Sequence, residues 1–170
     1  MKSTPAYLLK DCALWFNEDV KVGQASGMTI PPFKAKTEKF RNAGMATERE
    51  TPYGYERENA KFKELGLDPQ VVSGLGFIPG TNNGTLMITG ALVDEDGTVT
   101  NATCYLRGFL KGIDFGEFKS GEKVEALDCE YAWDYLKLEI GGSEMIEADD
   151  FDIKVAGVSH YADVRAALLL

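Results

Sequence analysis

The sequence predicts a mainly antiparallel β fold, a barrel or sandwich, with a short central helix and a second helix at the C-terminus. Three observations predict it. Turn-forming clusters rich in Gly, Asp and Asn recur at short intervals and separate runs rich in β-branched and aromatic residues. Along 124–135, Leu127, Cys129, Tyr131, Trp133 and Tyr135 alternate with Asp128, Glu130, Ala132 and Asp134, the period of a strand with one apolar face. Helix signals are confined to Asp68-Pro69, an N-cap followed by proline at the first helical position, and to the last dozen residues, where Tyr161, Val164, Ala167 and Leu168 stand near helical spacing.

Taken in order, 13–16 reads as a short strand closed by Asn17-Glu18-Asp19, 20–22 resumes it, and 28–30 runs into Pro31-Pro32, which has no N–H to give a ladder. Residues 33–41 are extended and charged. From 42 to 54 there is no apolar periodicity, and the stretch reads as a long loop. Residues 56–65 read as a strand in which Glu58, Ala60, Phe62 and Glu64 share a face, and 68–75 as the short helix. The strands 85–93 and 98–105 are joined by DEDG, whose Asp-Gly is hairpin chemistry. The stretch 104–142 reads as a long hairpin with a wide turn around Asp114-Phe115-Gly116 and Lys119-Ser120-Gly121-Glu122. Its first arm carries Tyr105 and Phe109 on one face and Leu106 and Leu110 on the other. That arm therefore presents surface for burial beyond one subunit, with Phe109 and Leu110 as interface candidates. Gly141-Gly142 turns the chain into strands at 143–148 and 153–155, and the terminal helix is expected to start at Ser159.

Composition narrows the function. The 170 residues fit one domain spanning 1–170, 44% of them are hydrophobic, and no run reaches the roughly 20 apolar residues of a membrane helix. Lys10 and Asp11 break the apolar runs of the N-terminus, so no signal peptide is expected and the chain is read as cytoplasmic when made. A formal charge of −9 disfavours stable nucleic-acid binding, which needs clustered Lys and Arg. Cys12, Cys104 and Cys129 lack metal-ligand spacing and are expected as buried, reduced thiols.

Chemistry finds no foothold. His160 is the only histidine, so an imidazole triad or zinc site would rest on it alone. The acids Glu144, Glu147, Asp149 and Asp150 flank turns, where carboxylates are ordinarily solvated. GLGFIPG at 74–80 follows a helix instead of opening one and departs from GxGxxG, and DEDG lacks the downstream Glu of a calcium loop. Asn101-Ala102-Thr103 matches a glycosylation sequon but reads as strand. No enzyme activity, metal or cofactor is expected.

Four segments carry a resemblance. LRGFLKGIDFGEFKSGEKVE, DYLKLEIGGSEMIEADD and VAGVSHYADVRAALLL resemble the C-terminal half of the major tail tube protein of contractile-tailed phages and R-type pyocins, and IPPFKAKTEKFRNAGM resembles that family's upstream strand pattern. The resemblance runs from about Asp11 to Leu170. It departs at Ser159, where the family pattern has Asp, and at Leu169, where it has Gly. It implies homohexameric rings stacked into a tube inside a contractile sheath, contacts with tape-measure and baseplate proteins, transient passage of genomic DNA, and a place in the virion tail after assembly in the host bacterial cytoplasm. It further implies that Gly44, Met45, Thr47, Glu48 and Arg49 belong to an inter-ring arm. In a ring of such strands, Asp128, Glu130, Ala132 and Asp134 would face the lumen, an acidic or mixed wall that Arg107 and Lys111 could partly neutralise. Two alternatives stand beside this: the tube protein of a type VI-like secretion system, and a monomeric β-barrel enzyme or ligand-binding module.

Overall fold

A computed structural model describes residues 8–80 and 84–170. Residues 1–7, the beginning of the segment weighed against a signal peptide, lie outside the described residues. Among the described residues, twelve strands and two short helices follow in chain order: β1 (Leu8–Phe16), β2 (Asp19–Val20), β3 (Ala25–Thr29), β4 (Phe33–Phe40), β5 (Arg49–Arg57), β6 (Ala60–Leu65), α1 (Pro69–Ser73), β7 (Gly84–Val93), β8 (Val99–Asp114), β9 (Ala126–Ile140), β10 (Ser143–Ala148), β11 (Ile153–Val155), β12 (Val158–Ser159) and α2 (Ala162–Ala167).

Ten strands form one sheet in the order β12-β11-β10-β9-β8-β7-β1-β2, with β6 added to β9 and β3 to β6. The long β9 is the axis of this arrangement. One edge pairs with β8 along nearly its whole length, while the other takes β6 over its first half and β10 over its second. The sheet thereby wraps around one core, built from Leu14 and Phe16 of β1, Phe62 of β6, Val71 of α1, Leu86 of β7, Leu106 and Leu110 of β8, and Leu127, Tyr131, Trp133 and Leu136 of β9. Two buried polar groups at the rim of this core are paired: the Tyr131 hydroxyl donates to the Gly84 carbonyl at 2.7 Å and the Trp133 indole to the Glu58 carbonyl at 2.8 Å.

Local chemistry explains the elements. Asp68 caps α1, accepting from the Gln70 amide at 2.8 Å, and Pro69 occupies its first turn. The helix stops at Gly74, where a Cβ would come within 2.7 Å of the Phe16 ring, so the glycine serves close packing. The DEDG turn closes on itself, with the Thr98 amide donating to Asp96 at 2.8 Å and the Gly97 amide to the Asp94 carbonyl at 3.0 Å.

Several expectations need correction. Residues 49–54 are not loop: they belong to β5, which pairs with β4 as a separate two-stranded sheet. The turn that remains, 41–48, is held by the Arg41 guanidinium and the Asn42 carbonyl, which bind the backbone of Met45 at 3.0 and 3.1 Å. The expected strand 56–65 breaks between Arg57 and Ala60 where the chain passes from one sheet to the other, and only Ala60, Phe62 and Glu64 keep the inward alternation. Helix α2 starts at Ala162 instead of Ser159. Cys104 and Cys129 are buried, and burial pushes both thiols up to about 12, but Cys12 is exposed.

Candidate assembly surface

Alternation along the β8–β9 hairpin sorts its residues between core and exterior. On β8, Cys104, Leu106 and Leu110 point inward, which leaves Tyr105, Arg107, Phe109 and Lys111 outward. The two interface candidates are thus separated. Leu110 is 1% exposed in its own subunit's core and offers nothing to a partner, whereas Phe109 is 38% exposed. On β9, Asp128, Glu130, Ala132 and Asp134 share the outer face, opposite buried Leu127, Cys129, Tyr131 and Trp133.

Beyond Trp133 the phase of β9 changes. The register slips between Arg107 and Gly108, so Tyr135 lies opposite Arg107 and Leu136 opposite Leu106. Leu136 takes the next inward place, and Tyr135, expected beside Trp133, turns outward against Tyr105, ring centroids 6.3 Å apart, with the Arg107 guanidinium 5.4 Å from its ring. The slip requires glycine at 108, where a Cβ would sit 2.0 Å from the Ala132 carbonyl oxygen.

The outer face is a ladder of alternating charge. Lys63 stands 3.5 Å from Asp128, Lys111 3.5 Å from Glu130, and Arg107 3.3 Å from Asp134. Farther along, Lys137 pairs with Glu139 at 2.8 Å and Lys154 with Glu147 at 2.8 Å, where Tyr135 also donates at 2.9 Å. Asn59 donates to Glu130 at 2.7 Å and holds its carboxyl below the usual range; the Lys154 and Tyr135 bonds do the same for Glu147. Of the four turn-flanking acids, Glu147 is held in this ladder, Asp150 pairs with Arg57 at 2.7 Å, Asp149 accepts the amides of Phe151 and Asp152, and Glu144 stands 3.9 Å from Lys137. His160 is exposed, its amide bound to the Ile153 carbonyl. No group of three or more His, Cys, Asp or Glu able to hold a metal occurs among the described residues.

Two further features flank this face. Strand β7 accompanies β8 only as far as Gly108. Beyond it, Leu110 receives the Gly76 amide at 3.1 Å and a single bridge from Leu75, and Lys111 to Asp114 have β9 on one side and no strand on the other among the described residues. The β4–β5 arm projects separately, carrying Gly44, Met45, Thr47 and Glu48 in its turn and Arg49 at the start of β5. Arg57 fastens its base, donating to the carbonyls of Trp133 at 3.3 Å and Asp149 at 3.1 Å and lying 4.5 Å from the centre of the Trp133 ring. Sequence reading missed Arg57, because its partners are brought together only by the fold. At the C-terminus, Ser159 donates to Asp152 at 2.8 Å, and Leu169 adopts φ +59°, the left-handed conformation that favours glycine, the residue expected there from the resemblance.

The described residues thus form an antiparallel β subunit with a paired-charge outer face, a strand edge that meets no partner strand among them and a separate two-stranded arm. The sequence profile of the phage tail tube protein FII family matches residues 7–168, and the chain belongs to that family. It is a structural tail tube component, not an enzyme. The tail tube protein of Escherichia phage P2 is 28% identical over 148 residues, 84% of this chain and 86% of that protein. Two solved structures share the fold: a chain of the six-fold symmetrised baseplate of the anti-feeding prophage, with TM-score 0.54 and 13% identity over 81% of this chain and 97% of that one, and an Hcp protein, with TM-score 0.50 and 12% identity over 84% and 96%.

Proposed function

We propose that six copies of this chain close into a ring, that rings stack into the inner tube of a contractile phage tail or related particle, and that the ladder face of β8 and β9 lines the lumen. The observation that carries this reading is the pairing of charge on that face. Asp128, Glu130 and Asp134 each meet a cation, and the cations Lys63, Lys111 and Arg107 each meet an acid, so the surface offers a phosphate backbone neither a cluster of free cations nor a uniform repulsion. DNA passing such a wall gains little from counterion release and slides without being held. Around this conduit a contractile sheath would close, with tape-measure and baseplate proteins at its ends. The virion tail is its destination and the host cytoplasm its place of assembly.

Ring closure is assigned to the open edge of β8 beyond Gly108 and to Phe109 beside it, and stacking to Gly44, Met45, Thr47, Glu48 and Arg49 of the projecting arm. Joining strands between subunits would remove the exposed edges that otherwise aggregate. Sedimentation of Phe109→Asp at matched concentration tests the assignment. The variant stays folded, because Phe109 faces outward, and fails to form rings, because the carboxylate is buried unpaired in the interface. Assembly equal to the parent's would remove Phe109 from the interface.

A further inference from the structure

Beneath α1 lies a titratable group that the tube does not use. Glu64 points inward from β6, between Ala25 of β3 and Leu127 of β9, and is 0% exposed. Neither of its carboxyl oxygens meets a hydrogen-bond donor among the described residues, and the Asp68 carboxylate can accept from Glu64 only when Glu64 carries a proton. The single cation of this region, Lys21, is itself 6% exposed and is committed elsewhere: its ammonium lies 2.6 Å from Asp68 and also donates to Gln70, which in turn donates to Asp19. Asp68 is partly desolvated, but Lys21 and the amides of Gln70 and Val71 hold its carboxyl below the usual range. On the side of β9, the group nearest in charge is the Cys129 thiol, kept neutral by burial; β3 contributes only Ala25. One lysine thus serves two carboxyls, and Asp68 has it.

We propose that Glu64 is a proton-operated latch on α1: protonated, it lets α1 seat on the core; ionised, it sets a second buried negative charge beside Asp68 and loosens the helix together with the strand edge that the helix supports. The mechanical link is short. Asp68 caps α1, α1 ends at Gly74 packed against Phe16, and Leu75 and Gly76 then bind Leu110 at the point where β8 loses its β7 partner. Displacing α1 therefore disturbs the edge of β8.

Burial first, then the neighbouring Asp68, pushes the Glu64 carboxyl up from its ordinary 4.5 to about 7. A carboxyl raised on folding binds its proton more tightly in the folded chain than in the unfolded one. Stability is then full below the unfolded value of 4.5 and declines as pH rises towards 7, where it levels off. Between pH 5 and pH 8 the linkage amounts to roughly a 70-fold fall in the folded-to-unfolded ratio.

The test compares the full chain with Glu64→Gln, a neutral near-isostere, by denaturant unfolding from pH 5 to pH 8. It also follows amide protection at Val72, Gly74 and Gly76 by hydrogen exchange. The parent should lose stability across this window and lose protection at those amides, while the variant does neither. A parent that keeps its stability, or a variant that loses it in parallel, overturns the proposal. Should the variant fail to fold, carbon-13 titration of the parent's Glu carboxyls decides: one midpoint near 7 supports the latch, and all midpoints below about 5.5 refute it. No outcome depends on ring formation, so the tube reading stands or falls separately.

Discussion

Arg57→Ala isolates the fastening of the projecting arm, and its cost can be worked from the contacts it removes. The guanidinium donates to the Trp133 and Asp149 carbonyls, the Tyr55 hydroxyl and Asp150, and covers the Trp133 ring. The two carbonyl bonds, at 3.3 and 3.1 Å, contribute about 1 kcal/mol each, since the donor is charged but the geometry is at the long end. Stacking on Trp133 adds about 0.5–1 kcal/mol. The Asp150 pair adds little, because that carboxylate is 59% exposed. The sum is about 3 kcal/mol, a fall in Tm of roughly 6–12 °C for a chain of this size. Arg57→Lys keeps the charge but loses the planar fork, and should recover less than half. Urea unfolding measures the loss, and limited proteolysis within 41–48 shows whether the arm has come free. A loss below about 1 kcal/mol, or unchanged proteolysis, would refute the fastening role.

Three other outcomes follow from the same structure. Replacing Asp128, Glu130 and Asp134 together with lysine frees Lys63, Lys111 and Arg107 and adds three cations; folding survives, because exposed pairs contribute about 0–1 kcal/mol each. Assembled tubes of that variant should retain nuclease-protected DNA with steep salt dependence, and DNA binding no greater than the parent's would take these residues off the channel wall. Leu169→Gly relieves a left-handed leucine that is 94% exposed, and should raise stability by about 0.5 kcal/mol in urea unfolding, with destabilisation speaking against strain at that position. Ser159→Asp, although it introduces the residue expected there from the resemblance, would face Asp152 across the existing 2.8 Å bond; it should cost about 1–3 kcal/mol at neutral pH, a loss relieved on acidification, and a neutral effect would show that the turn can re-form around two carboxylates.

What could be read from the sequence was whatever local chemistry determines. Asp68-Pro69 gave the start of α1, Asp-Gly the β7–β8 turn, and strict alternation the faces of β9 up to Trp133. The phase change after Trp133 was hidden, since it arises from the close approach of Gly108 to the backbone of Ala132 and not from any pattern within β9. The β4–β5 arm was read half as loop because nearly all of its residues are solvated, which leaves no apolar period to detect. Phe109 and Leu110 were legible as opposite faces of one strand, and only the sheet shows that Leu110 faces the core. The lumen candidates were legible as a face, and Arg107 and Lys111 as their neutralising partners; Lys63 joined them through the pairing of β6 with β9, which no local signal announces.

If this subunit builds a hollow tube, electron microscopy of the concentrated protein in negative stain should show six-fold rings with an open centre, and stacks of them as hollow rods. A field of single compact particles at every concentration, matched by a monomer in sedimentation, would contradict it.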